Sequence, residues 1–389
     1  MLFDNLLVAF ESKSDAELKK AYRIFSLMKY PFLVKTAKLM MQLAIFLHLP
    51  IKFPVVKSIF KHFCGGETLP DCENTINSLQ QYQVKTILDY SAEGGATEAE
   101  LDEVANEIRR LIEYAATNDA IPFAVFKPSG IMRPGLLMKV AASQMLSVVE
   151  KLEFELDRKR FMDLCDKSAA KNLPLFVDAE ETWIQKPVDD LMLEMMRKHN
   201  KQKAIIFNTL QMYRTDRLDY LHQLTEMARN EKFYVGVKLV RGAYVEKEHQ
   251  RAMKLAYPTP VFNTKIETDS AFNKAIEFCF EYSGIVSFCC ASHNEFSCAL
   301  LVEYMSSVNI APNDPRFWFA QLHGMSNHIS FNLAKAGFNV CKYVPYGPIK
   351  AVMPYLMRRA EENTSIAGQT GRELQLILAE QKRRSHSNP

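Results

Sequence analysis

The sequence lacks the short motifs by which proteins most often bind nucleotides and metal ions. No GxGxxG opens a helix after a predicted strand and no GxxxxGK(S/T) loop occurs, so neither standard nucleotide-binding motif is present. No histidine pair has HExxH spacing, and no two of the eight cysteines form a CxxC pair, so we expect no metal site. Cys289 and Cys290 are neighbours on a predicted strand and face opposite sides. A disulfide framework is therefore not indicated, which favours a reducing compartment.

Excess charge of one sign and long apolar runs are also missing. The net charge of +3 lacks the clustered Lys and Arg of a nucleic-acid footprint, so we expect no nucleic-acid partner. The longest apolar stretch, residues 39–60, is interrupted by polar residues and prolines, and a membrane-spanning helix needs about 20 apolar residues. Two interpretations of this stretch stay open: helices that cap the fold, and an amphipathic segment that lies on a membrane surface.

No targeting segment is apparent at the start of the sequence. A secretory signal is not visible, and Asp4, Glu11, Asp15 and Glu17 argue against an acid-poor mitochondrial presequence. We expect a cytoplasmic protein, with a peripheral position at the inner membrane if the apolar stretch contacts lipid.

The apolar residues that are present follow two different periods. Residues 1–80 show the 3.6-residue spacing of amphipathic helices, as in Leu18, Ala21, Ile24 and Phe25. From residue 84 onward, short apolar runs alternate with helix-sized segments, as is typical of parallel strands buried on both faces. The eight runs cover residues 86–90, 123–127, 175–178, 204–208, 234–240, 286–290, 317–321 and 340–343.

Eight βα units predict an α/β fold of the (βα)8 TIM-barrel type. If one strand were lost, an open doubly wound sheet would be the alternative. We predict three regions: an N-terminal helical region over residues 1–80, the barrel over 81–375, and a disordered polar tail over 376–389.

Charged residues follow the predicted strands at the ends where a barrel carries its active site. Lys127, Lys238 and the adjacent pair Arg358 and Arg359 would ring one face, and they suit a ligand with several negative charges. A redox cofactor with a pyrophosphate, together with a carboxylate substrate, meets that description. The arginine fork matches a carboxylate, although a solvated basic turn is the alternative for the pair alone.

Four collinear motifs resemble one enzyme family. They are residues 237–244 (VKLVRGAY), 322–325 (LHGM), 343–347 (YVPYG), and the arginine helix through residues 362–363. In these motifs, and in their order over residues 84–370, the chain resembles the proline dehydrogenases, flavin enzymes that open proline catabolism. The resemblance implies a distorted (βα)8 barrel with FAD bound at the strand ends.

The resemblance also implies roles for individual residues. Arg358 and Arg359 would clamp the substrate carboxylate with help from Lys127, and Glu93 would form a gate with Arg358. Tyr343, Tyr355 and Leu322 would pack around the pyrrolidine ring. Lys238 would lie near the flavin N5 edge and Asp178 in a network beneath the substrate, so that Asp178, Lys238 and Tyr343 form the catalytic set. Further positions that match FAD contacts are Ala179, Asn208, Gln211, Arg241, Gly242, Ala243, Tyr244, Ser292 and His293. Many bacterial relatives have Gln where this chain has Asn208 and Thr where it has Ser292.

The implied reaction is the oxidation of L-proline to pyrroline-5-carboxylate by hydride transfer to flavin N5, with electrons passed on to quinone or another acceptor. No second dehydrogenase domain follows the arginine helix in this sequence, so we expect a monofunctional enzyme and a separate pyrroline-5-carboxylate dehydrogenase as a partner. Hydroxyproline is the competing substrate, but hydroxyproline-preferring relatives tend to carry a smaller residue where this chain has Tyr343, so the resemblance favours proline. A barrel that binds an anionic metabolite without catalysis is the alternative from another class.

Overall fold

Eight parallel strands form the centre of the protein. In the computed structural model, residues 3–28, 30, 32, 54–91, 97–365 and 369–387 are described. Each of the eight predicted runs overlaps a strand: β1 Lys85–Tyr90, β2 Ala124–Phe126, β3 Leu175–Val177, β4 Ile206–Gln211, β5 Val235–Val240, β6 Val286–Ala291, β7 Phe317–Leu322 and β8 Val340–Tyr346. Strand β4 begins two residues after the start of its predicted run and extends three residues beyond the end of that run.

The strands follow the order β1-β8-β7-β6-β5-β4-β3-β2. Strands β1 and β8 pair in register from Lys85 with Cys341 to Tyr90 with Tyr346. Between β1 and β2 there is a single parallel bridge, Ile87 with Phe123, and the Thr86 N–H donates to the Ala120 carbonyl at 2.8 Å. The sheet is thus a nearly closed barrel, which confirms the (βα)8 prediction over the open doubly wound sheet.

Helices follow the strands and surround the barrel. The α-helices are α1 Leu6–Phe10, α2 Asp15–Met28, α3 Pro54–Phe63, α4 Glu73–Gln80, α5 Glu98–Ala115, α6 Pro128–Ile131, α7 Pro134–Ala141, α8 Val148–Ala170, α9 Thr182–His199, α10 Arg217–Glu231, α11 Val245–Leu255, α12 Lys265–Glu281, α13 Glu295–Ser307, α14 Asn327–Lys335, α15 Ile349–Ser365 and α16 Gln369–Ser387. Capping boxes start four of the described helices, with Ser14, Thr97, Ser147 and Thr264 as N-caps of α2, α5, α8 and α12. Each cap satisfies N–H groups that a helix leaves unpaired in its first turn.

Alternation along the strands produces two layers of core. Ile87, Phe176, Phe207 and Tyr343 belong to a cluster inside the barrel, while Leu88, Val177 and Val344 belong to a larger cluster between strands and helices. Because successive side chains of a strand point to opposite faces, this pattern also decides which strand-end residues face the barrel mouth.

The N-terminal helices pack with the C-terminal ones in a separate core. Phe10, Leu18 and Phe25 are buried there with Tyr355 of α15 and Leu376 of α16. Most of the apolar stretch at 39–60 lies outside the described residues, and no helix in the described part of the chain is long and apolar enough to cross a membrane.

The prediction of a disordered tail over residues 376–389 is wrong as far as residue 387, because α16 continues to Ser387. The polar residues of this segment are paired. Glu380, with 1% of its side chain exposed, pairs with Arg383 and Arg384 at 2.7 Å each. Arg384 also donates to the Phe10 carbonyl at 2.9 Å and to Asp15 at 2.8 Å. The charges that suggested a solvated tail therefore attach the helix to the N-terminal region.

His62 makes the stability of this second core depend on pH. Its Nε2 lies 3.1 Å from the Gly324 carbonyl, and its ring contacts the edge of Phe63 at 4.6 Å between centroids. Burial lowers the pKa of His62 from 6.5 to about 4. The folded state thus binds this proton less readily than the unfolded state, so the stabilisation is complete above pH 6.5 and is lost as the pH falls towards 4.

We expect His62→Asn to reduce the slope of the unfolding free energy against pH by about 1.4 kcal/mol per pH unit over this interval. Urea unfolding at several pH values measures the slope, which is independent of any packing loss that is the same at every pH. His386→Asn, at an exposed position near the end of α16, is the control. Equal slopes in wild type and His62→Asn would contradict the assignment.

Candidate active site

Two lysines and two aspartates meet at the C-terminal end of the barrel. Lys127, which follows β2, donates to both carboxylate oxygens of Asp89 on β1, at 2.7 and 2.6 Å. Its Nζ also lies 3.6 Å from Asp178, which follows β3. Asp178 forms a second ion pair with Lys238 of β5. The four charges therefore alternate in sign, as buried charges must if each is to be compensated.

Tyr343 of β8 closes this cluster. Its hydroxyl donates to Asp178 Oδ2 at 2.6 Å, and Lys127 Nζ lies 3.3 Å from the same hydroxyl. Lys238 Nζ lies 5.1 Å from the centre of the Tyr343 ring. Asp89, Lys127, Asp178 and Tyr343 each lie two residues after a member of the inner core, and Lys238 lies two residues after Gly236, so the alternation of each strand directs them to the mouth. We call Asp89, Lys127, Asp178, Lys238 and Tyr343 the mouth cluster.

The charges of the mouth cluster set the protonation of its acids. Burial raises the pKa of Asp178, but the neighbouring Lys238 and Lys127 outweigh it and hold the pKa below 3.8. Burial and the negative charges of Asp178 and Asp89 raise the pKa of Tyr343 well above 10. At neutral pH the cluster therefore contains an ionised Asp178 and a protonated Tyr343, an arrangement in which Tyr343 is the hydrogen-bond donor.

The predicted arginine pair lies on α15, which follows β8 after Gly347. The Arg359 guanidinium lies 5.2 Å from the Tyr355 ring centre, and Arg358 lies 5.7 Å from that of Tyr244. Arg359 and Tyr355 are buried, whereas Arg358 is partly exposed. Tyr244 ends the loop after β5, so the structure brings the predicted carboxylate clamp against a predicted cofactor contact.

The loop after β5 is built around Arg241 and Gly242. Arg241 donates to Asp269 at 2.6 Å, to Ser292 Oγ at 2.6 Å and to Ser297 Oγ at 2.9 Å. Gly242 has φ +123, and a Cβ there would lie 2.4 Å from the Tyr213 ring. Only glycine fits this backbone conformation and this close approach. The loop through Ala243 therefore follows one fixed path at the barrel mouth.

His293 is held between two strand-end segments. Its Nε2 accepts the Leu322 N–H at 3.4 Å, and its Nδ1 lies 2.8 Å from Ser326 Oγ. Burial and the charges of Lys342 and Arg359 lower the pKa of His293 well below 6.5. A neutral ring with Nε2 as acceptor carries its proton on Nδ1, so His293 donates to Ser326. The ring thereby links the predicted cofactor residues after β6 to Leu322 of β7.

Comparison with known proteins identifies the family. Residues 72–372 match the family model described as proline dehydrogenase. The chain belongs to the proline dehydrogenase family. It is an oxidoreductase that acts on the CH–NH group of proline, and the resemblance in the sequence motifs is confirmed.

Relatives of the chain support this membership. The carbapenem antibiotics biosynthesis protein CarD of Pectobacterium carotovorum subsp. carotovorum is 36% identical over 85% of each chain. Proline dehydrogenase 1, mitochondrial, of Dictyostelium discoideum is 32% identical over 96% of this chain and 73% of its own. The human protein of the same name is 40% identical over 60% of this chain, but only 40% of its own length is covered.

A solved structure shows the same fold. Proline utilization A (PutA) from Bdellovibrio bacteriovorus, inactivated by N-propargylglycine, superposes with a TM-score of 0.73 at 19% identity. The alignment covers 95% of this chain and 40% of that one. At this identity the likeness supports the barrel architecture alone.

One predicted site residue, Asn208, is not brought to the mouth of the barrel, and another, Glu93, is not described. Asn208 follows the inward-facing Phe207 and so points to the helices, where its amide donates to Asp189 of α9 at 2.9 Å. Glu93 lies outside the described residues. Gln211, three positions beyond Asn208, donates to the Glu180 carbonyl at 2.6 Å, close to Ala179. The position at which this chain has Asn208, and many bacterial relatives have Gln, therefore faces the surrounding helices.

Asp89 is the residue that sequence reasoning missed. It is fully buried and is the anion paired with Lys127, yet the sequence prediction includes it only within the apolar run over residues 86–90. A usable signal exists in the sequence: Asp89 is a carboxylate two residues after Ile87, in a predicted run, residues 86–90, that is otherwise uncharged. A charge in such a strand requires a partner, and Lys127 at the end of the next strand supplies one.

Proposed function

We propose that the protein is an FAD-dependent proline dehydrogenase that oxidises L-proline to pyrroline-5-carboxylate. The observation that carries the proposal is the mouth cluster, which lies at the strand ends of a proline dehydrogenase family barrel. Helix α15, which follows β8, carries Arg358 and Arg359. A cation-rich, partly enclosed mouth suits a small substrate with one carboxylate. No nucleophile of the protein is needed, because orientation against a cofactor supplies much of the rate.

The substrate carboxylate would bind to Arg358 and Arg359, with Lys127 beneath it. Guanidinium groups bind a carboxylate with two parallel hydrogen bonds and fix its plane. Tyr343, Tyr355 and Leu322 would then enclose the ring. The amine must be neutral to lose a hydride from the neighbouring carbon, and the positive charges around it favour its neutral form. Asp178 would keep Lys238 and the Tyr343 hydroxyl in fixed positions.

The strand-end residues fit a flavin dinucleotide. Thr209 Oγ1, on β4 in register with Lys238, is buried and has no hydrogen-bond partner within the described residues, so it can bond to a ligand. The cofactor would be held by the loop over residues 241–244 together with Ser292, His293, Ala179 and Gln211. Bound FAD supplies the acceptor for the hydride that leaves proline. Lys238 would face the part of the flavin that gains negative charge, where a cation stabilises the transition state.

Further steps complete the proposed function. Electrons would pass on to quinone or another acceptor, and peripheral contact with the inner membrane would bring the protein to that quinone. The product would reach a separate pyrroline-5-carboxylate dehydrogenase. Tyr343 would favour proline over hydroxyproline, since its ring would leave little room for the additional hydroxyl.

Anaerobic titration of the purified protein tests the proposal. We expect a flavin absorbance that L-proline bleaches, after reconstitution with FAD where needed, and a much weaker response to hydroxyproline. Quinones and oxygen, added in separate runs, would then identify the acceptor that restores the absorbance. Colourless protein that FAD does not reconstitute would support the non-catalytic barrel, and preferential bleaching by hydroxyproline would overturn the choice of substrate.

A further inference from the structure

The loop from Leu322 to Ser326 is held by two buried charged residues that have no place in the proposed chemistry. Ser326 has φ +49, a left-handed conformation that is unusual for a residue with a side chain. Such strain persists where the surroundings determine the backbone more strongly than local preference does. The contacts around Ser326 show what determines it.

Glu373 of α16 holds the N–H side of this loop. Its carboxylate accepts the Ser326 backbone N–H, and only 5% of Glu373 is exposed. The Ser326 hydroxyl faces the other way and accepts from His293 Nδ1 at 2.8 Å. A chain of contacts thus runs from the C-terminal helix through Ser326 and His293 to the Leu322 N–H.

Lys342 of β8 holds the carbonyl side. It precedes Tyr343 in the strand and therefore points out of the barrel, where 1% of it is exposed. Its ammonium donates to the Met325 carbonyl and, at 3.4 Å, to the Leu322 carbonyl. Burial lowers the pKa of Lys342 to about 7, and the negative charge of Glu373 opposes that shift. The negative Glu373 therefore binds a backbone N–H group of this short loop, and the positive Lys342 binds two of its carbonyl groups.

We propose that Glu373 and Lys342 are positioning residues of the active site, which fix His293 and Leu322 through the loop from Leu322 to Ser326. The inference rests on the proposed function, because that function assigns His293 to the cofactor and Leu322 to the substrate. On this proposal α16 does more than pack against the N-terminal helices, because through Glu373 it also fixes the positions of His293 and Leu322.

A matched pair of variants separates positioning from general stability. Glu373→Ala removes the acceptor of the Ser326 N–H. Glu380→Ala removes an equally buried carboxylate from the same helix, but its partners are Arg383 and Arg384, away from the loop. Glu373→Gln keeps an acceptor oxygen and should restore most of what Glu373→Ala loses.

The first measurement is hydrogen–deuterium exchange in flavin-free protein. We expect Glu373→Ala to raise exchange over residues 322–330 relative to the rest of the barrel, and Glu380→Ala to leave that segment unchanged. The second measurement is the Kd for FAD and the KM for proline. We expect both to rise about tenfold in Glu373→Ala, as for loss of one hydrogen bond to a charged group, with a smaller change in kcat.

Ser326→Ala is a milder variant that keeps the backbone contact with Glu373 and removes only the hydroxyl. We expect it to fold and to weaken FAD binding about threefold to fivefold. The inference would be overturned if Glu373→Ala and Glu380→Ala gave equal exchange, equal Kd for FAD and equal KM for proline. If Glu373→Ala did not fold, unchanged FAD binding in Ser326→Ala would overturn it. Wild-type protein that bound no FAD would overturn the proposed function instead, and exchange over residues 322–330 would still decide whether Glu373 holds the loop.

Discussion

Replacing Arg358 or Arg359 by Met should raise the KM for proline by about 10- to 100-fold, with a smaller effect on kcat. Each substitution removes a charged partner of the substrate carboxylate, and hydrogen bonds to charged groups contribute about 1.5–3 kcal/mol. Since the carboxylate keeps its charge throughout the reaction, the interaction is equally strong in the ground state and in the transition state. A loss of such uniform binding appears mainly in KM. Steady-state kinetics with L-proline measures both constants.

Two further variants show whether the geometry of the guanidinium matters. Arg358→Lys keeps the charge but loses the planar fork, so we expect a KM between those of wild type and Arg358→Met. Arg251→Met is the control, because Arg251 also lies over an aromatic ring, 4.5 Å from that of Trp183, but on α11 away from the arginine helix. A KM that stayed unchanged in both Arg→Met variants at 358 and 359 would contradict the clamp.

The barrel was predictable from the sequence because its strands are buried on both faces. Such strands give continuous apolar runs, and the runs over residues 234–240 and 317–321 predict β5 and β7 to within one residue at each end. The bounds of β4 and the direction of Asn208 were less accessible. A run that is apolar on both faces does not reveal which of its residues face inward, so the side of a polar residue within it follows only from the register of neighbouring strands.

The residues that the sequence left out are those whose partners lie far along the chain. Asp89 and Lys127 are 38 positions apart and Glu373 and Ser326 are 47 positions apart. The polar composition of the tail favours a disordered segment, whereas the fold pairs Arg383 and Arg384 with Glu380 and brings Arg384 to the Phe10 and Lys13 carbonyls. A charge within an apolar run indicates that a partner is needed, but local patterns do not show which distant residue is in contact with it.

Replacing Lys127 by Met should lower the free energy of unfolding by about 3–5 kcal/mol, because it leaves the Asp89 carboxylate buried without its cation. Asp89 has no exposed side-chain area, and Lys127 contacts both of its oxygens. Ser91 Oγ, 3.0 Å from Asp89 Oδ2, offers one neutral hydrogen bond in its place. Urea unfolding of the wild type and the variant measures the loss.

The double variant Lys127→Met with Asp89→Asn separates the two roles of Lys127. A neutral amide of the same shape no longer requires a cation, so we expect most of the lost stability to return. The KM for proline should stay raised, because the substrate carboxylate still lacks Lys127. If stability and KM recovered together, the lysine would act only as the partner of Asp89, and the substrate contact would rest on Arg358 and Arg359 alone. If neither stability nor KM recovered, the loss of stability would arise from packing around Tyr343 and not from charge. The double variant restores the balance of charges, but the methionine side chain at position 127 still cannot contact the Tyr343 hydroxyl as the lysine does.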